Sequence, residues 1–346
     1  MPLVTMKQVL DDAIEKNYGV GAFNINNMEQ TLAIMSAADR TESPVILQAS
    51  RGARKYAGPL MIYGLVQAAM KIYPKVVVVL HLDHGNEPKT CVEAMDDGWT
   101  SVMMDGSLDS SGKVPTSYAY NLKVTAEVVQ EAHSRGITVE GELGTLGGVE
   151  DGHGSDQVIL TDPVQAAEFA ELTQVDALAL GFGTSHGAFK FKATPQLRYD
   201  IVEAVNKKVP KLALVSHGSS SVPPELVAIV NKYGGKMPGA MGVPVDQIVN
   251  SIDYGVRKVN IDTDLRIAAT GAIRKLFAEK PEEFDVRKYL EPAMQAMSEV
   301  VEDRMIAFRT AGKASGIGKP VSLEETAKIY KQQNAFPKMD KINEIK

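Results

Sequence analysis

The chain has 346 residues, a formal net charge of −6, and 44% hydrophobic against 23% charged residues. An acidic balance disfavours a general nucleic-acid or membrane-surface role, so neither is expected as a partner. The single cysteine, Cys91, excludes an intrachain disulfide and a cysteine-rich zinc site.

The opening segment MPLVTMKQVLDDAIEKNY has no apolar stretch after a basic start and reads as an amphipathic helix, not a signal peptide. The longest purely apolar run, Val76–Leu80, is too short to span a bilayer. A reducing cytoplasm is therefore the expected location, with Cys91 an unreactive thiol on a helix. Short, apolar, β-branched runs predict strands at Gly19–Asn26, Pro44–Ser50, Val76–Asp83, Ser101–Asp105, Thr138–Leu143, Ala177–Gly183, Leu212–Ser216 and Gly255–Ile261. Helical patterns separate them at Glu29–Arg40, Pro59–Ile72, Pro88–Asp96, Pro115–Arg135, Asp162–Leu172, Pro195–Asn206 and Pro223–Tyr233. Several of these open on Pro, or after Ser, Thr or Asp, as helix starts do. A further helix follows the last strand at Thr263–Leu276, and a long one covers Val286–Ala311. A Gly-, Lys- and Pro-rich break at Gly312–Pro320 leads to a polar helix and the tail Phe336–Lys346.

Eight strands alternating with helices predict an α/β fold, a (β/α)8 TIM barrel. Residues 1–280 make the catalytic barrel. Residues 281–346 make a helical extension packed on the barrel or on a neighbouring subunit, within one domain overall.

In such a barrel the carboxyl ends of the strands carry the chemistry. Those ends hold Asn24, Ser50, Asp83-His84, Asp105, Glu142, His186, His217 and Asn260 to Asp262. His84, His186 and His217 come from three strand ends, and three imidazoles with an open position make a catalytic zinc arrangement. Asp83, beside the first histidine, is placed for general acid/base work. His81, earlier in its strand, reads as structural, His133 as an ordinary helix residue, and His153 as a solvent-facing loop residue. Gly187 and Gly218 follow two of the histidines with bare backbone N–H groups. Ser219 and Ser220 add hydroxyls, and Asp262-Thr263 opens a helix, a combination that suits phosphate. Lys190 and Arg266 supply positive charge. The loop Gly144–Gly154, rich in glycine and carrying Glu150 and Asp151, reads as a lid.

The motifs GAFN, ILQAS, HLDHG, VEGELG, GTSHGAFK, SHGSS and KVNIDTDLR, in this order across nearly the whole chain, closely resemble class II fructose-1,6-bisphosphate aldolase. The extension RKYLEPAMQAMSEVVEDRMIAFRTAGKASGIGKP resembles the longer, Calvin-cycle-like subgroup. The resemblance implies reversible cleavage of fructose 1,6-bisphosphate to dihydroxyacetone phosphate and glyceraldehyde 3-phosphate through a zinc-stabilised enediolate, in glycolysis, gluconeogenesis or the Calvin cycle. It implies that His84, His186 and His217 bind Zn2+. Asp83 then moves the proton of the C4 hydroxyl, Asn260 contacts the enediolate, and Glu150 exchanges the dihydroxyacetone phosphate proton. Gly187, Gly218, Ser220, Asp262 and Thr263 surround the C1 phosphate, Lys190 serves a phosphate, and Asn24, Ser50 and Arg266 face the distal phosphate. Asp105 and Glu142 match acidic residues at a secondary divalent cation site. A monovalent cation, Na+ or K+, sits near the phosphate loops, and a homodimer or homotetramer is the expected assembly.

Two positions depart from the common pattern. Ser219 stands where many relatives have a second glycine, and Phe189 stands before Lys190 where relatives often have tyrosine. Rival readings are an aldolase for tagatose or sedoheptulose bisphosphate, a metal-free Schiff-base aldolase, and a catalytically silent barrel used for binding. The Schiff-base route needs a lysine at a strand end. A silent barrel has no need of Asp83, Asn260 and Asp262 beside the histidines.

Overall fold

The computed structural model of the protein describes residues 3–148, 158–189, 191 and 194–345. Among these, eight parallel strands close into a barrel in chain order, β1 pairing with both β2 and β8. The strands are β1 Val20–Asn24, β2 Val45–Ser50, β3 Val78–Gly85, β4 Ser101–Met104, β5 Thr138–Leu143, β6 Ala177–Leu180, β7 Ala213–Ser216 and β8 Val256–Ile261. Every strand residue is buried, which is why the sequence shows apolar runs rather than alternation.

The helices are α1 Met6–Lys16, α2 Met28–Arg40, α3 Arg51–Ala57, α4 Pro59–Ile72, α5 Pro88–Asp96, α6 Tyr118–Ser134 and α7 Pro163–Thr173. They continue with α8 Tyr199–Lys208, α9 Pro224–Lys232, α10 Val245–Tyr254, α11 Thr263–Glu279, α12 Val286–Ala307, α13 Leu323–Gln333 and α14 Met339–Glu344. Most stand within a few residues of expectation, because side-chain caps set their starts: Asn27 for α2, Ser117 for α6, Asp162 for α7 and Asp285 for α12. Three were not expected. The seven-residue α3 starts at once from β2, with the Ser50 hydroxyl accepting from the Ala53 amide. α10 follows Pro244 before β8, and α14 closes the chain.

The core has two parts. Outside the barrel, strand residues such as Leu47, Leu80, Val102 and Leu178 meet the helices. Inside it, Val20, Ala22, Ile46, Val79, Met103, Ala177, Ala179, Ala213 and Val215 form one cluster with Met6, Val9, Leu10 and Ala13 of α1. The amphipathic N-terminal helix therefore plugs the amino-terminal mouth. Thr5 caps it, the Val4 amide donates to the Val78 carbonyl of β3, and the Thr100 hydroxyl donates to the Val4 carbonyl. Alternation along the strands turns the next inward residues polar: Gln48 on β2, His81 and Asp83 on β3, Glu140 and Glu142 on β5, and Lys258 and Asn260 on β8. A plugged apolar floor thus carries a polar upper layer.

The C-terminal segment packs on the barrel's own helices, α12 against α11 and α2, and α13 against α6. It is fastened at the amino ends of the strands, opposite the polar layer. Asp176, just before β6, accepts from His133 Nε2 of α6 at 2.9 Å, from Tyr330 Oη of α13 at 2.9 Å and from the Val139 amide at 2.9 Å. The His133 and Tyr330 rings stack at 3.7 Å, and His133 Nδ1 lies 2.6 Å from the Ala335 carbonyl. His133 is therefore a buried fastener, not the ordinary helix residue the sequence suggested. Burial pushes the Asp176 carboxyl up, but His133, Lys7 and the Val139 amide outweigh it and hold it below the ordinary aspartate range.

A carboxyl depressed in the folded state contributes stability above its unfolded pKa and loses it as pH falls through the folded value. Asp176→Ala is therefore expected to cost about 3 kcal/mol at neutral pH, measured by urea unfolding, with the gap to wild type narrowing in acid. Equal stability of the two proteins at neutral pH would remove Asp176 from this role.

Candidate active site

The three strand-end histidines meet. The ligating atoms of His84, His186 and His217 lie within 4.8 Å of one another, and all three residues are buried. Local backbone explains how β3 delivers two neighbours to one mouth. Its register with β4 slips between Leu82 and Gly85, and His84 takes a left-handed φ of 52°. A bulge re-aims a side chain, so Asp83 and His84 both face inward where strict alternation would part them. Gly85 allows it, since a Cβ there would stand 2.5 Å from the Met103 carbonyl. Gly218 has a matching function. At φ 60° it lies against the His186 loop so closely that a Cβ would sit 2.4 Å from the Ser185 carbonyl.

Two of the imidazoles have one ring nitrogen fixed by a carboxylate. His217 Nε2 lies 2.7 Å from Glu140 Oε1, so that nitrogen carries the proton and Nδ1 is left as a lone pair. His84 Nδ1 lies 3.1 Å from Asp105 Oδ2, which leaves Nε2 as the matching atom. These two atoms, His84 Nε2 and His217 Nδ1, face each other at 3.0 Å. Burial, with His84 and Lys258 nearby, drives His217 well below its ordinary pKa, the neutral state a metal ligand needs. Burial alone would lower His84 too. Asp83, Asp105 and Glu142 overcome it and raise the imidazole to about 10. With His84 protonated, its Nε2 N–H donates to the lone pair on His217 Nδ1, and a metal bound between them would displace that proton. This donor set fits a divalent cation with carboxylates orienting its ligands.

Behind His84, Asp105 and Glu142 bring a second group of ligand atoms within 4.8 Å. Burial, with Asp105 adding to it, pushes the Glu142 carboxyl well above its ordinary range, and Glu142 Oε2 has no hydrogen-bond partner among the described residues.

Asp83 is encircled by amides. Asn24 Nδ2 and Gln48 Nε2 donate to Oδ2 at 3.1 and 3.2 Å, and Asn260 Nδ2 lies 3.4 Å from Oδ1. Its Oδ1 stands 3.9 Å from His84 Nε2, beside the histidine cluster rather than within it. On the far wall, the loop after β7 meets the start of α11. The Asp262 amide donates to Ser220 Oγ at 3.1 Å, and Arg266 Nε donates to Asp262 Oδ1 at 2.8 Å. Thr263 begins the 17-residue α11 and is buried. Gly187 takes a φ of 88° after His186. The Ser219 hydroxyl contacts Ser216 Oγ at 2.7 Å and so turns into its own loop. The Ser50 hydroxyl serves the start of α3. Glu150, Asp151, His153 and Lys190 lie outside the described residues. What is described of the loop carrying the first three is its stem, where Thr145 and Ile159 exchange backbone bonds and the His186 amide donates to the Gly147 carbonyl.

Lys258 carries no strand-end signal, and Glu140, His81 and Asp264 stand at or near strand ends without a motif that assigns them a site role. Glu140, Lys258 and His81 fill the layer beneath the histidines. Glu140 Oε2 lies 2.9 Å from Lys258 Nζ and 3.4 Å from His81 Nε2. Asp264 accepts from the Ser221 and Val222 amides at 3.1 and 2.7 Å and fixes the loop that follows His217. Alternation by two from Glu142 and Asn260 was the available signal for Glu140 and Lys258. Cys91 is buried, and burial pushes its thiol up to about 12, which leaves it inert.

The family model described as fructose-bisphosphate aldolase class-II matches residues 4–313. Fructose-bisphosphate aldolase 2 of Cereibacter sphaeroides is 50% identical over 98% of this chain and 99% of its own. The fructose-bisphosphate aldolase of Pseudomonas aeruginosa is 50% identical over 98% of this chain and 100% of its own. Among solved structures, the YdjI aldolase from Escherichia coli K12 superposes with a TM-score of 0.71 at 26% identity, covering 90% of this chain and 100% of that one.

Proposed function

The chain belongs to the class II fructose-bisphosphate aldolase family, and we propose that it performs the family's metal-dependent cleavage with a zinc ion held by His84, His186 and His217. It is a lyase, acting reversibly on fructose 1,6-bisphosphate to give dihydroxyacetone phosphate and glyceraldehyde 3-phosphate. One observation carries the zinc assignment. His84 Nε2 and His217 Nδ1 face each other at 3.0 Å, each with its other nitrogen committed to a carboxylate. All-nitrogen ligation by neutral imidazoles suits zinc better than calcium or magnesium, which prefer oxygen.

A bound divalent cation supplies Lewis acidity that stabilises negative charge on the substrate's oxygens. The protein's own groups do the rest. Asp83 takes the C4 hydroxyl proton as the C3–C4 bond breaks, and returns it in condensation. Asn260 presents its amide N–H to the enediolate oxygen. Glu150, on the loop after β5, exchanges the carbon-bound proton of dihydroxyacetone phosphate. Gly187, Gly218, Ser219, Ser220, Asp262 and Thr263 receive one phosphate with Lys190, supported by the backbone amides and the start of α11. Asn24, Ser50 and Arg266 receive the other. Anchoring both ends holds the reacting carbons in register, which lowers the entropic barrier.

The same reading gives Asp105 and Glu142 a secondary divalent cation and the phosphate loops a monovalent one. It takes the chain as a single domain, barrel 1–280 with extension 281–346, working in the cytoplasm. No helix among the described residues is long and apolar enough to cross a membrane. A homodimer or homotetramer is supported by the exposed apolar side chains Tyr56, Leu60 and Met61 on α3 and α4.

The test is fructose 1,6-bisphosphate cleavage before and after EDTA, with zinc restored. Lewis-acid stabilisation worth several kcal/mol implies a loss of about 10³-fold or more on chelation, recovered with zinc. Activity indifferent to metal-free protein verified by elemental analysis would overturn the metal reading. Faster turnover of tagatose or sedoheptulose bisphosphate would move the substrate assignment.

A further inference from the structure

A fully buried lysine is costly unless acceptors surround its ammonium. Lys258, in the middle of β8, is such a residue, with 0% exposure. The proposed chemistry does not use it. Its Nζ lies 2.8 Å from Asn260 Oδ1 and 2.9 Å from Glu140 Oε2. Each partner leads into the site. Glu140 Oε1 holds His217 Nε2 at 2.7 Å, and Asn260 Nδ2 points at Asp83 Oδ1 at 3.4 Å. A continuous polar path therefore runs Asp83, Asn260, Lys258, Glu140, His217, with Lys258 joining its two halves.

A carboxamide offers a donor from one end and an acceptor from the other, and the two ends are nearly the same shape. An amide that must donate to a developing oxyanion fails if it turns its oxygen outward. Lys258 settles this, because its ammonium can pair only with Oδ1 and so commits Nδ2 to the site. A positive charge on Oδ1 also polarises the amide and strengthens its N–H as a donor. We propose that Lys258 is a positioning residue for the aldol step, fixing the donor face of Asn260 toward the enediolate. Its contact with Glu140 ties that amide to the same carboxylate that orients His217. This rests on the reading of Asn260 as the enediolate contact. The alternative is that Lys258 merely neutralises Glu140 in the barrel interior.

The two are separated by a double-mutant cycle on the zinc-loaded full chain: wild type, Lys258→Met, Asn260→Ala and the double variant. Each is measured for kcat, KM, zinc content and binding of phosphoglycolohydroxamate, an enediolate mimic. Loss of one preorganised oxyanion donor predicts a fall in kcat of about 10²-fold for Lys258→Met, with KM within about 3-fold of wild type. Affinity for the hydroxamate should fall in parallel, with zinc retained. The double variant should sit within about 3-fold of Asn260→Ala alone, since a residue acting through Asn260 has nothing left to act on.

Multiplying effects in the double variant, zinc lost in proportion to activity, or unchanged kcat in Lys258→Met would each overturn the proposal. An undiminished Asn260→Ala would instead overturn the enediolate role of Asn260, and this inference with it. Should Lys258→Met not fold, Lys258→Gln carries the same cycle. It retains a donor towards Asn260 without the charge, and the same non-additivity is expected.

Discussion

Asp83→Ala should keep its zinc and lose about 10²–10⁴-fold in kcat, the range of a positioned general acid/base. The structure separates the two properties. Asp83 Oδ1 is 3.9 Å from His84 Nε2, whereas the histidine cluster is oriented by Asp105 and Glu140. Removing the Asp83 side chain therefore leaves the metal's ligands and their orienting carboxylates intact. What it removes is the acceptor on which the Asn24, Gln48 and Asn260 amides converge. Those donors lose a charged partner, so some loss of stability is expected, about 1–3 kcal/mol. KM should rise only modestly, because of the proposed phosphate-anchoring groups Asn24 is the one shown donating to Asp83. Exchange of the dihydroxyacetone phosphate proton should be less affected than cleavage, because the proposed function gives that step to Glu150. Near-wild-type cleavage by the zinc-loaded variant would end the assignment, and parallel loss of zinc and activity would make Asp83 a metal-site residue.

Where the site would lie was legible because the fold was. Strands buried on both faces appear as short apolar runs, and reading what terminated each run gathered His84, His186, His217, Asp83 and Asn260 onto one rim. That procedure passes over polar residues lying inside a run. Lys258 stands between Val256 and Val259 and reads as strand interior, while Glu140 stands in the polar strand end Glu140-Gly141-Glu142 with no role of its own to mark it. Period-two alternation puts Glu140 with Glu142 and Lys258 with Asn260 on the inward face. The missing step was to ask why a barrel interior would admit a carboxylate and an ammonium together, and a paired answer follows at 2.9 Å.

Other features had weaker traces. The left-handed φ at His84 depends on a register slip between β3 and β4, which is a property of the pair of strands and not of either sequence. α3, with the sequence RGARKYA, has no apolar periodicity and is made by the Ser50 cap and its neighbours. Arg304 lies far from the site in sequence, yet donates to Asp264 and Ser221 at 3.2 and 2.7 Å, so the extension supports the loop after His217. Long-range contacts of this kind leave no local pattern to read.

His217→Ala is the sharper test of the metal centre. His217 is fully buried, its Nε2 is fixed by Glu140, and its Nδ1 faces His84. If a zinc site's affinity of about 10–16 kcal/mol is divided among its ligands, one ligand's share corresponds to a loss on the order of 10³-fold or more. The variant should emerge from dialysis without zinc and without measurable cleavage at stoichiometric metal. The fold should survive, since Glu140 keeps Lys258 and the barrel floor beneath is apolar. The alternative metal position is already defined: His84, Asp105 and Glu142 also converge within 4.8 Å, and that group does not include His217. His217→Ala holding one zinc through dialysis would place the tight ion there, while Glu142→Gln losing it would confirm the exchange. His84 Nδ1 is engaged by Asp105, which leaves Nε2, facing His217 Nδ1, as the ligating atom, so His217→Ala should abolish tight binding while Glu142→Gln weakens it less. The order of the two affinities therefore decides which face of His84 holds the ion.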